Sequence, residues 1–162
     1  MTRWAMYANP PMEQEVQKQL YPILQEKVAS LNEHDAVDKL LNWVQTAFVY
    51  EYDDKVWGHD RAFFAEETLF YPYCDCEDRS ILFSHLVRDL LDSDVVLVYY
   101  PGHLATAVAF NEPVEGDYFL LNGRRFTVCD PTLIVGNIGT TMSLVHHEEG
   151  KVILLERTGV RM

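Results

Sequence analysis

Apolar residues recur at helical spacing in the first third of the chain. A helix is predicted over residues 16 to 31, behind the Asn9-Pro10-Pro11 run, which is typical of a helix start. Pro22 lies inside this pattern, where it predicts a kink or a break into two helices. A second amphipathic helix is predicted over residues 37 to 48. Residues 1 to 9 show no clear pattern.

A third helix is predicted to begin close to Cys76. The Tyr71-Pro72 pair and the polar residues 74 to 78 break regular structure. Apolar residues then recur at helical spacing, at positions 82, 83, 86, 87, 90 and 91. At about 100° per residue, Cys76 tops the side of the helix expected to be buried, in line with Ser80, Phe83 and Val87.

Histidines occur on this helix and elsewhere in the chain. His85 lies about 180° around the helix from Cys76 and roughly 13 Å along it, so it cannot serve Cys76 as a base. It is expected on a polar side of the helix, with Asp78, Asp89 and Asp92. His146 and His147 fall in a polar turn and are expected to be exposed, and His34 belongs to a helix-entry cluster.

Two strands are predicted after the third helix. Residues 95 to 100 form a continuous apolar run that is typical of a buried strand, and a Pro-Gly turn follows them. Residues 103 to 110 alternate, with His103 and three alanines on one face and Leu104, Thr106, Val108 and Phe110 on the other. Alanines allow another backbone to approach closely. The Cys76 helix is therefore expected to pack on the alanine face, with His103 beside its N-terminus.

The strongest hairpin signal in the chain is the Asn122-Gly123 pair. It separates a strand predicted at residues 118 to 121 from one at residues 124 to 129. Shorter strands are expected around residues 48 to 52, 144 to 145 and 152 to 155, and residues 53 to 67 are interpreted as a surface excursion with about one helical turn.

These elements predict an α+β fold. The N-terminal helices and the Cys76 helix are expected to pack on one face of an antiparallel sheet. The 162 residues, of which 48% are hydrophobic and 12% aromatic, fit a single globular domain over residues 1 to 162, with one domain of a longer protein as the alternative.

The net charge of -12 limits the partners that the protein can attract. It repels nucleic acid and anionic membranes and favours neutral or cationic substrates. The sequence has no apolar run of membrane-spanning length and no signal-peptide core at its start. We therefore expect a cytoplasmic protein, or an exported domain if the chain is a fragment of a longer protein. The oligomeric state stays open.

Three cysteines, at positions 74, 76 and 129, allow no closed disulfide framework and no zinc-finger spacing. No metal or other cofactor is expected. Cys74 is interpreted as a packed free thiol, with a disulfide or redox switch to Cys76 as the alternative. Cys76 itself lies where the unpaired N–H groups of a helix start favour a thiolate, which is the reactive form of a cysteine nucleophile. The alternative is an inert cysteine that fills the helix end.

The order of three motifs is similar to that of the transglutaminase-like superfamily, whose core is related to papain-like cysteine proteases. These motifs are Cys-Glu-Asp at a helix start, His at a strand start and Asp-Pro-Thr at the end of a later strand. The match covers residues 43 to 132, and 27 residues separate Cys76 from His103 and His103 from Asp130.

The resemblance implies a role for each of these three residues. Cys76 would be the nucleophile, His103 the general base and Asp130 the residue that orients the imidazole. An oxyanion hole would use the Cys76 backbone N–H and a second donor, for which Tyr50, Tyr52 and Trp57 are candidates. Asp75, Glu77 and Asp78 oppose a thiolate electrostatically. Asp78 and Arg79 are expected to form structural hydrogen bonds at the helix start.

The expected function is cysteine-dependent acyl transfer on an amide of a protein or peptide substrate. Hydrolysis by a cysteine peptidase or amidase is favoured over crosslinking, because nothing in the sequence shows a site that excludes water. The alternative is a catalytically silent domain that acts as a binding or scaffold module. The triad requires strand 124 to 130 to lie antiparallel beside strand 103 to 110, with His103 nearly opposite Asp130, so the connection from 111 to 123 must reverse the chain direction.

Overall fold

The structure of the protein is a computed structural model that describes residues 3–50, 64–70, 73–133, 136–143 and 145–156. The helices in these ranges are α1 (Arg3–Ala8), α2 (Gln14–Val28), α3 (Glu33–Ala47), α4 (Ala65–Phe70) and α5 (Cys76–Leu91). The strands are β1 (Val49–Tyr50), β2 (Tyr73–Cys74), β3 (Val95–Tyr100), β4 (His103–Ala109), β5 (Tyr118–Leu121), β6 (Arg124–Cys129) and β7 (Lys151–Leu154). None of the helices in these ranges is both long and apolar enough to span a membrane.

A five-stranded antiparallel sheet, in the order β5-β6-β4-β3-β7, forms the centre of the fold. Strands β1 and β2 form a separate parallel pair. The β5–β6 hairpin folds back so that β6 lies between β4 and β5, which is the reversal that the triad requires. The predicted α+β class is confirmed, with the helices gathered on one side of the sheet.

The two faces of the sheet have different partners. Leu97, Leu104 and Val108 belong to the same apolar cluster as the buried residues of α2, α3 and α5. The alanines of β4 lie in a second cluster with Tyr100 and Phe126. The prediction that the Cys76 helix packs on the alanine face is therefore wrong. The alanines instead leave room for large rings on the neighbouring strands, and Phe126 lies directly opposite Ala109.

Helix α5 is buried on nearly all sides. The line through Cys76, Phe83 and Val87 is buried as predicted, but His85 is also only 1% exposed. His85 lies on the same side of the helix as Asp89, as predicted, with Nδ1 3.8 Å from Oδ2, and this polar side is enclosed because α1, α3 and α4 as well as the sheet pack around the helix. The polar residues of α5 must therefore bond within the protein.

The N-terminal helices differ from the sequence pattern in their bounds, and of the kink or break predicted at Pro22 the break does not occur. Residues 3 to 8 form helix α1, although six residues are too few to display a periodic pattern. Helix α2 begins at Gln14, later than the Asn9 signal predicts, and it continues through Pro22 without breaking into two helices. Tyr21 and Leu24, on either side of Pro22, are buried in the core, and this packing keeps the helix continuous past the proline.

The strand predictions fare better, because their signals are local. The strands predicted at residues 95 to 100, 118 to 121 and 124 to 129 are confirmed, and Asn122 and Gly123 have φ angles of 50° and 78°, as the hairpin turn requires. The strand expected near residue 152 forms as β7. Val145 lies in a bend and not in a strand, and residue 144 lies outside the described residues.

The side chain of Arg88 ties α5 to two distant segments and predicts a large effect on stability. It donates to the carbonyls of Ala8 at 2.6 Å and Glu156 at 2.7 Å, and it is 3% exposed. We expect Arg88→Met to lower the free energy of unfolding by about 2–4 kcal/mol, because buried carbonyls lose their donors. Urea unfolding followed by circular dichroism measures this change.

Arg124→Met is the matched control. Arg124 bonds Asp94 at 2.7 Å, but its side chain is 53% exposed, so its loss should cost less than about 1 kcal/mol. Equal losses in the two variants would contradict the role assigned to Arg88.

Candidate active site

A capping box fixes the start of α5. The carboxylate of Asp75 accepts from the backbone N–H of Asp78 at 3.3 Å, and the Asp78 carboxylate accepts from the backbone N–H of Asp75 at 3.1 Å. The predicted structural role of Asp78 is confirmed. The helix thus begins at Cys76, as the sequence predicts, and the position of this residue is set by bonds on either side of it.

Cys76 contacts the backbone at the start of β4. Its thiol has a backbone hydrogen bond with Leu104, and the hydroxyl of Ser80, one turn later on α5, donates to the Leu104 carbonyl at 3.0 Å. Leu104 directly follows His103. The contact between α5 and β4 therefore brings the cysteine to the strand residue next to the histidine, although α5 packs on the other face of the sheet from the one predicted.

His103 and Asp130 form a buried pair. Nε2 of His103 lies 2.7 Å from Oδ2 of Asp130, and the two residues are 7% and 3% exposed. The second carboxylate oxygen, Oδ1, accepts from the backbone N–H of Thr132 at 2.9 Å. With Nε2 directed at the carboxylate, Nδ1 is the ring nitrogen left to exchange a proton with another group.

The register between β4 and β6 explains how the pair meets. Thr106 lies opposite Cys129, so continuing this ladder would place Asp130 opposite Ala105 and not directly opposite His103. This displacement of two residues keeps both side chains on the same face, because side chains alternate with a period of two along a strand. The predicted antiparallel arrangement of these strands is confirmed.

Tyr100 supports the imidazole from its other neighbour strand. Its ring stacks on that of His103, with centroids 6.2 Å apart and planes 23° from parallel, and Tyr100 is fully buried. Burial raises the pKa of Tyr100 to about 12, and the nearby Thr141 side chain lowers it only in part. At neutral pH this residue is therefore a neutral, fixed wall beside the histidine.

The electrostatic surroundings keep Cys76 protonated at neutral pH. Burial raises the pKa of its thiol to about 12, and the Leu104 backbone hydrogen bond lowers it only in part. The charges of Asp75, Glu77 and Asp130 raise the pKa of the thiol further. The expectation that the helix start favours a thiolate is thus wrong for the unliganded protein, because Cys76 is only 7% exposed. The predicted opposition from the acidic neighbours is confirmed for Asp75 and Glu77.

The predicted residues are placed to different extents. His103 and Asp130 come together in a hydrogen-bonded pair, and Cys76, a free thiol, lies against the backbone of Leu104 and within electrostatic range of Asp130. Of the oxyanion-hole candidates, Tyr50 lies in β1 beside Cys74, which precedes the helix by two residues. Tyr52 and Trp57 lie outside the described residues.

One residue that bonds near the site was not identified from the sequence. Gln45 is buried in α3, and Arg79, whose contacts were expected only to be structural, reaches it across the helix interface. The sequence signal that could have identified Gln45 was weak. Gln45 follows Leu41 by one turn and is therefore a polar residue in line with an apolar face.

Among the described residues, no group of three or more His, Cys, Asp or Glu side chains is arranged to hold a metal ion. A comparison with models of protein families and a comparison with curated proteins both find no match for this chain. The chemistry of the site must therefore be argued from its own geometry.

The buried thiols predict a pH dependence of stability. Burial raises the pKa of Cys129 above its ordinary value of 9.0, as it does for Cys76. Above about pH 9 the unfolded chain releases these protons first, so the folded state binds more protons and the free energy of unfolding falls as pH rises. Each thiol contributes a slope of at most about 1.4 kcal/mol per pH unit.

Urea unfolding of the native chain and of Cys129→Ala, at about pH 8 and about pH 10, measures this effect. The variant should lose less stability than the native chain between the two pH values. Using the difference between the two pH values removes the constant cost of the cavity that the substitution creates. Equal losses would show that ionisation of Cys129 does not oppose folding.

Proposed function

We propose that this chain is a thiol-dependent acyl-transfer enzyme acting on an amide bond of a protein or peptide. The observation that carries the proposal is the buried His103–Asp130 pair, in which Nε2 lies 2.7 Å from Oδ2. This pair lies at the start of the strand where the Cys76 thiol forms a hydrogen bond with the backbone of Leu104. A nucleophile, a base and a group that orients the base are the three components of such a site.

The first step would be attack of Cys76 on a carbonyl carbon. As the bond between Sγ and carbon forms, Nδ1 of His103 takes the thiol proton, and the carbonyl electron pair moves to its oxygen. Asp130 remains ionised and stabilises the imidazolium through the bond to Nε2. When the bond between carbon and nitrogen breaks, the imidazolium returns its proton to the leaving amine, and a thioester remains on Cys76.

The second step would release the acyl group. The oxygen of a water molecule attacks the thioester carbon while the water gives a proton to Nδ1 of His103. His103 then passes this proton to the departing sulfur of Cys76. The products are a carboxylic acid and the regenerated thiol. An amine in place of water would give a new amide in place of the acid, and hydrolysis is the favoured outcome.

The negative oxygen formed in each step needs hydrogen-bond donors. The backbone N–H of Cys76 is one of the first in α5, and these have no partner within the helix. Tyr50 is the one described candidate for the second donor, since β1 runs beside the residues that lead into α5.

The protonated state of Cys76 shapes the mechanism. Because the pKa of the thiol is about 12, Cys76 keeps its proton before the reaction begins, and that proton must move to His103 as the sulfur attacks the substrate. The acidic residues Asp75 and Glu77 raise that pKa. The net charge of -12 likewise repels anionic groups that approach the protein. Neutral or cationic peptide segments fit this field better than acidic segments or nucleic acid.

Membership of the transglutaminase-like superfamily is part of this proposal. It is supported by the α+β class of the fold, by a helix that begins at Cys76, and by strands that deliver His103 and Asp130 in the order of the three motifs.

One observation favours a second candidate function. Cys76 is 7% exposed and surrounded by carboxylates that disfavour its ionised form. A catalytically silent domain, used as a binding or scaffold module, would tolerate this environment without rearrangement.

Labelling by a thiol-directed activity probe distinguishes the two candidates. Near neutral pH we expect the native chain to be labelled at Cys76, as located by peptide mapping. His103→Ala should slow this labelling by about 10²-fold or more, because the thiol loses its proton acceptor. Asp130→Asn should also slow it, because the imidazole loses the carboxylate that fixes its tautomer.

Cys129→Ser serves as the control, since Cys129 is fully buried and lies outside the proposed mechanism. Its labelling at Cys76 should match that of the native chain. A folded native chain whose Cys76 resists the probe would refute the enzyme and leave the silent module as the explanation.

A further inference from the structure

One buried amide gathers the backbone that follows Asp130. Nε2 of Gln45 lies 3.1 Å from the carbonyl oxygen of Asp130, 2.8 Å from that of Leu133 and 3.0 Å from that of Gly136, so its two hydrogens are shared among these three acceptors. Gln45 is 2% exposed and lies in α3, far from these residues in sequence. A single side chain thus converges on three carbonyls between Asp130 and Gly136.

The same residue is joined to the helix that carries Cys76. Arg79, three residues after Cys76, donates from Nη1 to the Gln45 carbonyl at 3.0 Å and from Nη2 to the Phe48 carbonyl at 3.0 Å. Arg79 is 1% exposed. The C-terminal end of α3 is therefore bonded on one side to the start of α5 and on the other side to the turn that begins at Asp130.

Strand pairing does not hold Asp130. The ladder between β4 and β6 ends at Cys129, and the next residues turn away from the sheet. The carboxylate position then depends on the bonds of the turn, which include the Thr132 N–H to Oδ1 and the Gln45 amide to the Asp130 carbonyl. An error of the order of 1 Å in a catalytic group can cost about 10²-fold in rate.

We propose that Gln45 is a positioning residue, which holds the Asp130 backbone so that the carboxylate orients His103, while Arg79 fixes the same end of α3 relative to Cys76. This inference rests on the proposed function for its consequence in catalysis. Its structural part, that the geometry of the His103–Asp130 bond depends on Gln45, can be measured without any activity.

Gln45→Met tests the inference, since methionine has a similar length and no donor. Gln17→Met is the matched control, because the Gln17 amide also donates to a backbone carbonyl, that of Met12 at 2.6 Å, but lies in α2 away from the site. The first readout is the proton resonance of His103 Nε2–H in the bond to Asp130, assigned by its loss in His103→Ala. The second is the rate of Cys76 labelling.

In Gln45→Met the Nε2–H resonance should shift or exchange away, and Cys76 labelling should slow by about 10- to 10²-fold. Both readouts should be unchanged in Gln17→Met. An unchanged resonance in folded Gln45→Met would overturn the inference, whatever the labelling rate. If Gln45→Met does not fold, Gln45→Asn takes its place, because it keeps the amide but is too short to reach all three carbonyls, and the same criteria apply.

The two proposals fail in different ways. If the native chain resists labelling at Cys76 but the resonance responds to Gln45→Met, then the enzyme is refuted and the positioning role stands. If the native chain is labelled and the resonance does not respond, then the enzyme stands and Gln45 has no positioning role.

Discussion

The burial of α5 is the constraint on which the rest of the structure depends. A helix enclosed by other helices on one side and by a sheet on the other cannot leave its polar groups to water. Its polar side chains therefore form hydrogen bonds within the protein. Arg88 donates to the backbone of two remote segments, Ser80 donates to the start of β4, and Arg79 donates to the end of α3. These bonds, more than apolar contacts, specify one angle and one depth for the helix, because each has a defined length and direction.

The same constraint sets the character of the site. Placing the N-terminus of α5 against Leu104 puts Cys76 beside the residue that follows His103, but it also removes the thiol from water. The burial that fixes the position of the sulfur also disfavours its ionised form, since desolvation favours the neutral thiol. In the proposed mechanism, a histidine oriented by Asp130 would overcome this opposition, because the thiol proton would move to it only as the sulfur attacks a carbonyl.

The predictability of the elements follows from the range of the interactions that form them. The hairpin at Asn122-Gly123 and the start of α5 were predicted because turn and capping preferences act over a few residues. The face of β4 that receives α5 was predicted wrongly, because both of its faces are buried and alternation alone cannot show which layer each one meets. The burial of His85 was not predicted for a similar reason, since a polar side chain within a fully enclosed helix has the same sequence pattern as one facing solvent.

The sequence by itself determined the helix start at Cys76, the strands that carry His103 and Asp130, and the acidic surroundings of the thiol, because these follow from local preferences and from charge. Only the tertiary structure decided the two-residue displacement between β4 and β6, the raised pKa of Cys76 and the convergence of the Gln45 amide on the turn after Asp130. Each of these depends on contacts between segments far apart in the chain. Such contacts are selected by the packing of the whole core, and no short stretch of residues encodes them.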